Sequence, residues 1–171
     1  MASKFLQLIA GLVFTAITAQ AQLHDVSITA TRKKLDEQKT RGSMETITTQ
    51  EIAYKVVVTS KAFKAIPELE VKYMIFYDDV QPGSKEKPEI LHIKGKELLT
   101  NLENNRPVEF ETKPIKLTKS QLDGNVYWTS GASAKAKDSV SGLWFRAYSG
   151  GKIIGEYAYP TTLPKKAEFK E

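Results

Sequence analysis

Apolar and polar residues alternate with a period of two over much of this chain, and no other sequence feature limits its fold so strongly. The segments His24 to Thr31 and Leu69 to Tyr77 show the pattern most clearly. Because successive side chains of a β-strand point to opposite faces of the sheet, this period predicts strands with one face on a core. No window of useful length keeps the period of about 3.6 residues that an amphipathic helix needs. The sequence therefore predicts an all-β fold.

Turn signals separate the predicted strands at intervals of about 8 to 12 residues, which is typical of a β-sandwich. About seven to nine strands fit this pattern, so we expect a single antiparallel β-sandwich of the immunoglobulin-like or fibronectin-like pattern. A jelly roll or a small barrel remains open, because alternation does not encode strand order. Residues 22–171 are expected to form this sandwich as one domain.

The positions of the strands and connections follow from the same pattern. Strands are predicted at residues 24–31, 45–59, 69–77, 90–94, 108–112 and 125–128. Residues 96–103 fit either a strand or a helical turn, and a bend or bulge is expected near Gln50. Connections are predicted where charged or small polar residues are dense: a mobile charged loop at 32–43, a short corner at 118–123, a loop at 129–140 and a polar tail at 164–171.

The strongest local signal is a hairpin near the C-terminus. The alternating segments Leu143 to Ser149 and Lys152 to Tyr159 flank the pair Gly150-Gly151. Glycine adopts positive φ without steric cost, as a tight two-residue turn requires. A loop of these glycines alone predicts the opposed pairs Tyr148–Ile153, Arg146–Gly155 and Trp144–Tyr157.

That register would bring Trp144, Arg146, Tyr148 and Tyr157 to one face of the hairpin. Flat aromatic rings beside a charged donor are typical of sugar or peptide recognition, so these four are the candidate ligand-binding residues. Large aromatic side chains are more often buried than displayed, and the core face of the sandwich is the favoured interpretation of the same row. A register shift of one residue would exchange the two faces.

Residues 1–21 have the layout of a secretory signal peptide. Lys4 precedes an apolar stretch from Phe5 to Ile17, and the small residues Ala19 and Ala21 suit signal peptidase. We expect cleavage after Ala21 and a secreted or periplasmic mature chain without a transmembrane segment. The chain has no cysteine, which excludes disulfides and favours a protein of the bacterial envelope.

Few residues are of the types that carry catalysis or bind metals. Two histidines and no cysteine leave neither a thiol nucleophile nor a cluster of zinc ligands. His92 alternates with apolar neighbours, so a solvent-facing strand position is expected. Asp78 and Asp79 fit a turn better than they fit a glycosidase carboxylate pair or a calcium site. We therefore expect a protein that is not an enzyme and that holds no cofactor and no resident metal.

One metal site remains open as an alternative. Cleavage after Ala21 would make His24 the third residue of a Gln22-Leu23-His24 terminus. Its amine, amides and imidazole would suit square-planar Cu(II) or Ni(II), although an N-terminal glutamine can cyclise and remove the amine.

The charge pattern limits the possible partners. The formal net charge is +5, and the densest basic run, Arg32 to Lys34, is followed directly by Asp36 and Glu37. Nucleic-acid binding is therefore not expected. The sequence predicts an exported, non-enzymatic β-sandwich that is a binding or structural module in the bacterial envelope or outside the cell. The alternative is a carbohydrate-binding module that uses the aromatic row, so the expected partner is a protein or a glycan.

Overall fold

The computed structural model describes residues 25–124 and 126–169, and nearly all of that chain is antiparallel β-structure. The elements in chain order are β1 (Val26–Arg41), β2 (Glu45–Ser60), β3 (Ile66–Asp79), β4 (Glu89–Leu102), β5 (Pro107–Glu111), β6 (Ile115–Leu122), β7 (Lys135–Lys137), β8 (Ser139–Ser149), β9 (Lys152–Tyr159) and the short helix α1 (Leu163–Lys166). The predicted all-β fold is confirmed. The predicted signal peptide and the Gln22-Leu23-His24 terminus lie outside the described residues.

The strands form two sheets that pack face to face. Sheet A is five-stranded with the order β1-β2-β6-β7, and β5 also pairs with β2. Sheet B is four-stranded with the order β4-β3-β8-β9. The long strand β2 pairs along one edge with β1, and along the other edge first with β6 and then with β5. No helix among the described residues is long and apolar enough to cross a membrane.

The core lies between the inner faces of the two sheets. Alternate residues of each strand contribute to it, as the period of two predicts. The large apolar side chains with no exposed surface are Ile52, Val56 and Val58 from sheet A and Leu69, Val71, Ile75, Leu102 and Phe145 from sheet B. Burying a large apolar side chain contributes about 1.5 to 3 kcal/mol, so this shared layer is the main stabilisation of the sandwich.

Strand β1 continues far beyond this core. The prediction of a mobile loop at 32–43 is wrong, because β1 runs to Arg41 and pairs with β2 as far as Thr46. Both faces of this stretch are polar, so it has no alternation to recognise, and backbone pairing with the threonine-rich start of β2 keeps it extended. The register shifts between Lys34 and Asp36. The bulge expected near Gln50 therefore lies at Leu35, on the neighbouring strand.

Other connections also differ from the sequence prediction. The segment 118–123, predicted as a corner, belongs mostly to β6, and the predicted loop 129–140 contains β7 and the start of β8. The open segment 96–103 is part of β4 except for its last residue. Residues 126–128, predicted as a strand, are not in one. Charged side chains on short exposed strands hide the alternation that a core would impose.

Candidate functional site

The C-terminal hairpin has the predicted two-glycine turn. Gly150 and Gly151 have φ angles of 54° and 77°, in the left-handed region that glycine tolerates. Tyr148 pairs with Ile153 as predicted, but the register then shifts by one residue at Ile154. This bulge changes every pair beyond it.

The bulge separates the four predicted ligand-binding residues. The structure pairs Arg146 with Glu156 and Phe145 with Tyr157, so the predicted pairs Arg146–Gly155 and Trp144–Tyr157 are wrong. Trp144, Arg146 and Tyr148 lie on the outer face of sheet B, whereas Tyr157 lies on the inner face. The predicted row on a single face does not form.

Trp144 is only 2% exposed although it lies on the outer face of sheet B. The Phe169 ring meets the Trp144 ring edge-on, with 5.0 Å between centroids. The Arg146 guanidinium lies 4.6 Å from the Trp144 ring centroid, and the indole N–H donates to Glu156 at 2.9 Å. The prediction of a polar tail at 164–171 missed this contact, because α1 and Phe169 fold back on sheet B.

Charges on this outer face are paired with one another. Arg146 Nε lies 2.7 Å from the Glu156 carboxylate, and the Lys72 and Lys96 ammonium groups each lie 3.7 Å from Glu70. Burial is the largest single effect and lowers the pKa of Arg146, but the contacts with Glu156 and Tyr148 together outweigh it and raise the pKa above the usual value. An incoming charged ligand would have to compete with these internal pairs.

A cleft of about 580 Å³ opens between the two sheets, and residues of β1, β2 and β6 on one side and of β8 and β9 on the other line it. This volume lies in the range of about 300 to 1,000 Å³ that is common for small-ligand sites. Sheet B contributes Leu143, Tyr157 and Tyr159 to its wall, and sheet A contributes Arg32, Tyr54, Thr48, Lys119 and Lys137. Of the four residues singled out from sequence, only Tyr157 reaches this cleft.

Tyr54 is the most buried of the tyrosines that line the cleft, with 6% of its surface exposed. Burial raises the pKa of Tyr54 above its usual value, against a smaller lowering by the Arg32 charge. Tyr54 therefore carries its proton at neutral pH. The cleft thus combines apolar wall, phenol groups and basic side chains.

Sheet A carries two cross-strand rows of polar side chains beside and beyond this cleft. Each row consists of directly opposed residues on β1, β2, β6 and β7, and all point to the inner face. The first row is Lys39, Thr48, Lys119 and Lys137, and the second row is Arg41, Thr46, Gln121 and Lys135. Neighbouring strands are about 4.8 Å apart, and the rows are about 7 Å apart along the strands.

We call these two rows, with Arg32 and Lys34, the inner basic face. Glu37 is the acidic strand residue that shares it, whereas the opposite face of the same strands carries Asp36, Glu45 and Glu51. The inner face of these strands therefore has an excess of basic residues, whereas the outer face carries both signs, because Lys33, Lys55 and Lys116 also lie there. The basic excess favours an anionic partner for the inner face.

Glu37 offsets only one end of the inner basic face. Its carboxylate lies 2.8 Å from the Lys34 ammonium group and accepts a hydrogen bond from the Gln50 amide. The Lys34 contact, followed by the Gln50 contact, lowers the pKa of Glu37 below its usual value. By contrast, Lys119, Lys135 and Lys137 form no ion pair with any residue in the described ranges.

Asp138 links the two sheets beside the cleft. Its carboxylate accepts the backbone N–H of Thr118 in β6 at 2.7 Å and that of Val80, just after β3, at 3.0 Å. The residue is 9% exposed. Because Asp138 directly follows Lys137, these hydrogen bonds hold the end of the first row in place.

The sequence reasoning missed the inner basic face. Lys39 and Arg41 are spaced by two residues, as are Lys135 and Lys137, which is the signal of one strand face. Both pairs lie in segments predicted to be loops, where that spacing has no meaning. Only the pairing of β1, β2, β6 and β7 brings the two pairs to one surface.

The remaining candidate groups have local partners. Asp78 accepts a hydrogen bond from Ser139 at 3.3 Å, and Asp79 accepts one from Gln81 at 2.9 Å. The predicted turn position is wrong for both, because they are the last two residues of β3 and pair with β4. His92 is exposed on β4, as predicted, with its ring 5.9 Å from that of Phe76. Within residues 25–124 and 126–169, no group of three or more histidine or acidic residues is placed to hold a metal ion.

Comparison with protein-family models and with curated proteins found no match. Three solved structures resemble the chain in outline. A Northeast Structural Genomics Consortium target is 9% identical, with a TM-score of 0.38 over 81% of this chain and 88% of its own. A Bordetella pertussis protein provisionally named ApaA is 11% identical, with a TM-score of 0.36 over 78% and 91%. A protein from Akkermansia muciniphila is 15% identical, with a TM-score of 0.29 over 78% and 70%. Structural similarity this weak gives no information about function.

Proposed function

We propose that this protein is an exported, non-enzymatic binding module whose ligand is anionic and occupies the cleft and the first row of the inner basic face. The observation that carries the proposal is the first row itself. It places Lys39 and Lys119 directly opposite Thr48, with Lys137 one strand further along the row. Thr48, Lys119 and Lys137 line a cleft of ligand size.

The first row favours an anion on energetic grounds. Lys119 and Lys137 are directly opposed, and like charges in such positions destabilise a sheet. An anionic group placed between them would remove this repulsion and form charge-assisted hydrogen bonds. The relief of this repulsion would therefore add to the affinity for an anion.

Export and a non-enzymatic role are supported by other features. The layout of residues 1–21 supports export and processing. Among the described residues that line the cleft there is no histidine, and the lining carboxylate, Asp138, is engaged by two backbone N–H groups. A sandwich of nine strands resembles immunoglobulin-like modules in strand number, and such modules commonly display binding sites at the ends of the sandwich.

A titration with dextran sulfate tests the proposed function. The double variant Lys119→Gln/Lys137→Gln should lose affinity by about tenfold, which corresponds to about 1.4 kcal/mol. The double variant Lys55→Gln/Lys116→Gln is the matched control, because it removes the same charge from the outer face of sheet A. It should stay within about twofold of the parent.

Two outcomes of this titration would contradict the proposal. If both double variants weaken binding equally, net charge rather than the inner basic face is recognised. If dextran sulfate does not bind the parent protein at low salt, where electrostatic attraction is strongest, the proposed anion site is wrong.

A further inference from the structure

The second row of the inner basic face is partly occupied by a carboxylate of the chain itself. Asp123 accepts hydrogen bonds from the Thr46 hydroxyl at 2.9 and 3.1 Å, and its carboxylate lies 3.8 Å from Arg41 Nε. Arg41 and Thr46 are directly opposed on β1 and β2. The sheet thus holds a carboxylate over an opposed pair made of one basic residue and one threonine.

The first row repeats the same pair without a carboxylate. Lys39 and Thr48 are directly opposed on the same two strands, one step closer to the cleft. The Thr48 hydroxyl has no hydrogen-bond partner among residues 25–124 and 126–169, and Lys39 forms no ion pair within those ranges. Lys119 on β6 completes the surroundings of Thr48.

We propose that the first row binds the carboxylate of a uronic-acid residue in an acidic oligosaccharide. The carboxylate lies between Lys39, Thr48 and Lys119, as Asp123 lies between Arg41 and Thr46. This inference rests on the proposed function and names its ligand class.

The rest of the site suits a sugar more than other anions. Hydroxyl and amide groups of Thr48, Gln50 and Tyr54 line the cleft between the charges, and they match the dense hydroxyl groups of a sugar ring. Tyr159, which is 62% exposed, offers an aromatic ring at the wall of the cleft for a sugar face.

Three other classes of anionic partner fit this site less well than an acidic sugar. Single-stranded nucleic acid is bound by successive aromatic rings interleaved with basic residues, whereas neither row contains a ring and Tyr159 is the one mostly exposed ring among the described residues of the cleft. A membrane surface would be joined by apolar side chains, but the exposed Ile47 lies on the opposite face of sheet A. A peptide that adds to a sheet uses an open strand edge, whereas these rows lie on a face whose backbone groups are already paired.

Calorimetric titration with tetragalacturonate and with its methyl ester tests the inference. The two sugars differ only at the carboxyl groups, which are anionic in the acid and are uncharged and methylated in the ester. We expect the acid to bind the parent protein at least about tenfold more tightly than the ester, because the ester loses the charge-assisted contacts.

Thr48→Val isolates the hydroxyl contact, because the side chain keeps its shape and stays on the strand. We expect affinity for tetragalacturonate to fall about three- to tenfold. Thr49→Val is the matched control, because Thr49 lies on the outer face of the same strand. It should leave affinity unchanged, and both variants are checked for a parent-like melting temperature.

The outcomes separate this inference from the proposed function. Equal affinity for acid and ester, or equal effects of Thr48→Val and Thr49→Val, overturns the uronate site but leaves the dextran sulfate result standing. Tighter binding of polyglutamate, of a single-stranded oligonucleotide or of phosphatidylglycerol vesicles than of tetragalacturonate also overturns it. Absence of any polyanion binding overturns both proposals.

Discussion

Lys119 and Lys137 face each other across neighbouring antiparallel strands, with both side chains on the inner face of sheet A. Neither has an ion-pair partner in the described part of the chain. Directly opposed like charges cost stability, so this pair is better explained by what it binds than by what it contributes to folding. It lies where the first row of the inner basic face meets the cleft.

Removing one charge from this pair should stabilise the protein. We expect Lys119→Gln to raise the free energy of unfolding by about 0.2 to 1 kcal/mol, because the cross-strand repulsion is lost. Urea denaturation measures this change, and Lys116→Gln on the outer face of β6 is the control. A clear loss of stability in Lys119→Gln would show that the lysine has a structural role instead.

Asp138 should be needed for stability. In Asp138→Asn, one carboxylate oxygen that now accepts a backbone N–H becomes an amide group that cannot accept it. We expect a loss of about 1 to 3 kcal/mol in the free energy of unfolding, the usual cost of leaving a buried donor without a partner. Parent-like stability of the variant would mean that Asp138 does not join the two sheets.

Glu37 should titrate below an ordinary glutamate. The Lys34 and Gln50 contacts lower its pKa from the ordinary 4.5, so the ionised form stabilises the folded state. That contribution is present above pH 4.5 and is lost as the pH falls through the lower folded value. We expect Lys34→Ala to return the pKa towards 4.5, as followed by NMR of the side-chain carboxyl carbon. An unchanged pKa in this variant would contradict the assigned cause.

Trp144 should be a stability residue rather than a ligand contact. It is buried under Phe169 and Arg146, so Trp144→Ala should cost about 3 to 5 kcal/mol in urea denaturation. Tyr148→Ala, on the same outer face, should cost less because Tyr148 is only half-buried. Loss of tetragalacturonate binding in Trp144→Ala with an unchanged melting temperature would instead support the aromatic-row hypothesis.

Sequence periodicity predicted the strands whose two faces differ. The strands β2 and β9 place most of their apolar residues on one face, and β3 does so until Met74 and Phe76 make both of its faces apolar. Their positions therefore followed from the alternation. The outer part of β1 is polar on both faces and was therefore predicted as a loop. Single-residue bulges at Leu35 and Ile154 carry no sequence signal of their own, yet each shifts which residues share a face.

The candidate site was harder to predict than the fold. Its first row combines residues from strands that are far apart in the chain, Lys39 in β1 and Lys137 in β7. The densest basic run along the sequence is Arg32 to Lys34, in which Lys33 pairs with Glu111 and Lys34 pairs with Glu37. Strand order, which alternation does not encode, decides that the other lysines meet.

The most direct test of the proposed site is an NMR titration of the isotope-labelled protein with tetragalacturonate. The inner basic face and cleft predict the largest backbone shift changes at Lys39, Thr48, Lys119 and Lys137, with little change from Trp144 to Tyr148. Shift changes confined to Trp144, Arg146 and Tyr148, with the first row unaffected, would contradict the site proposed for this protein.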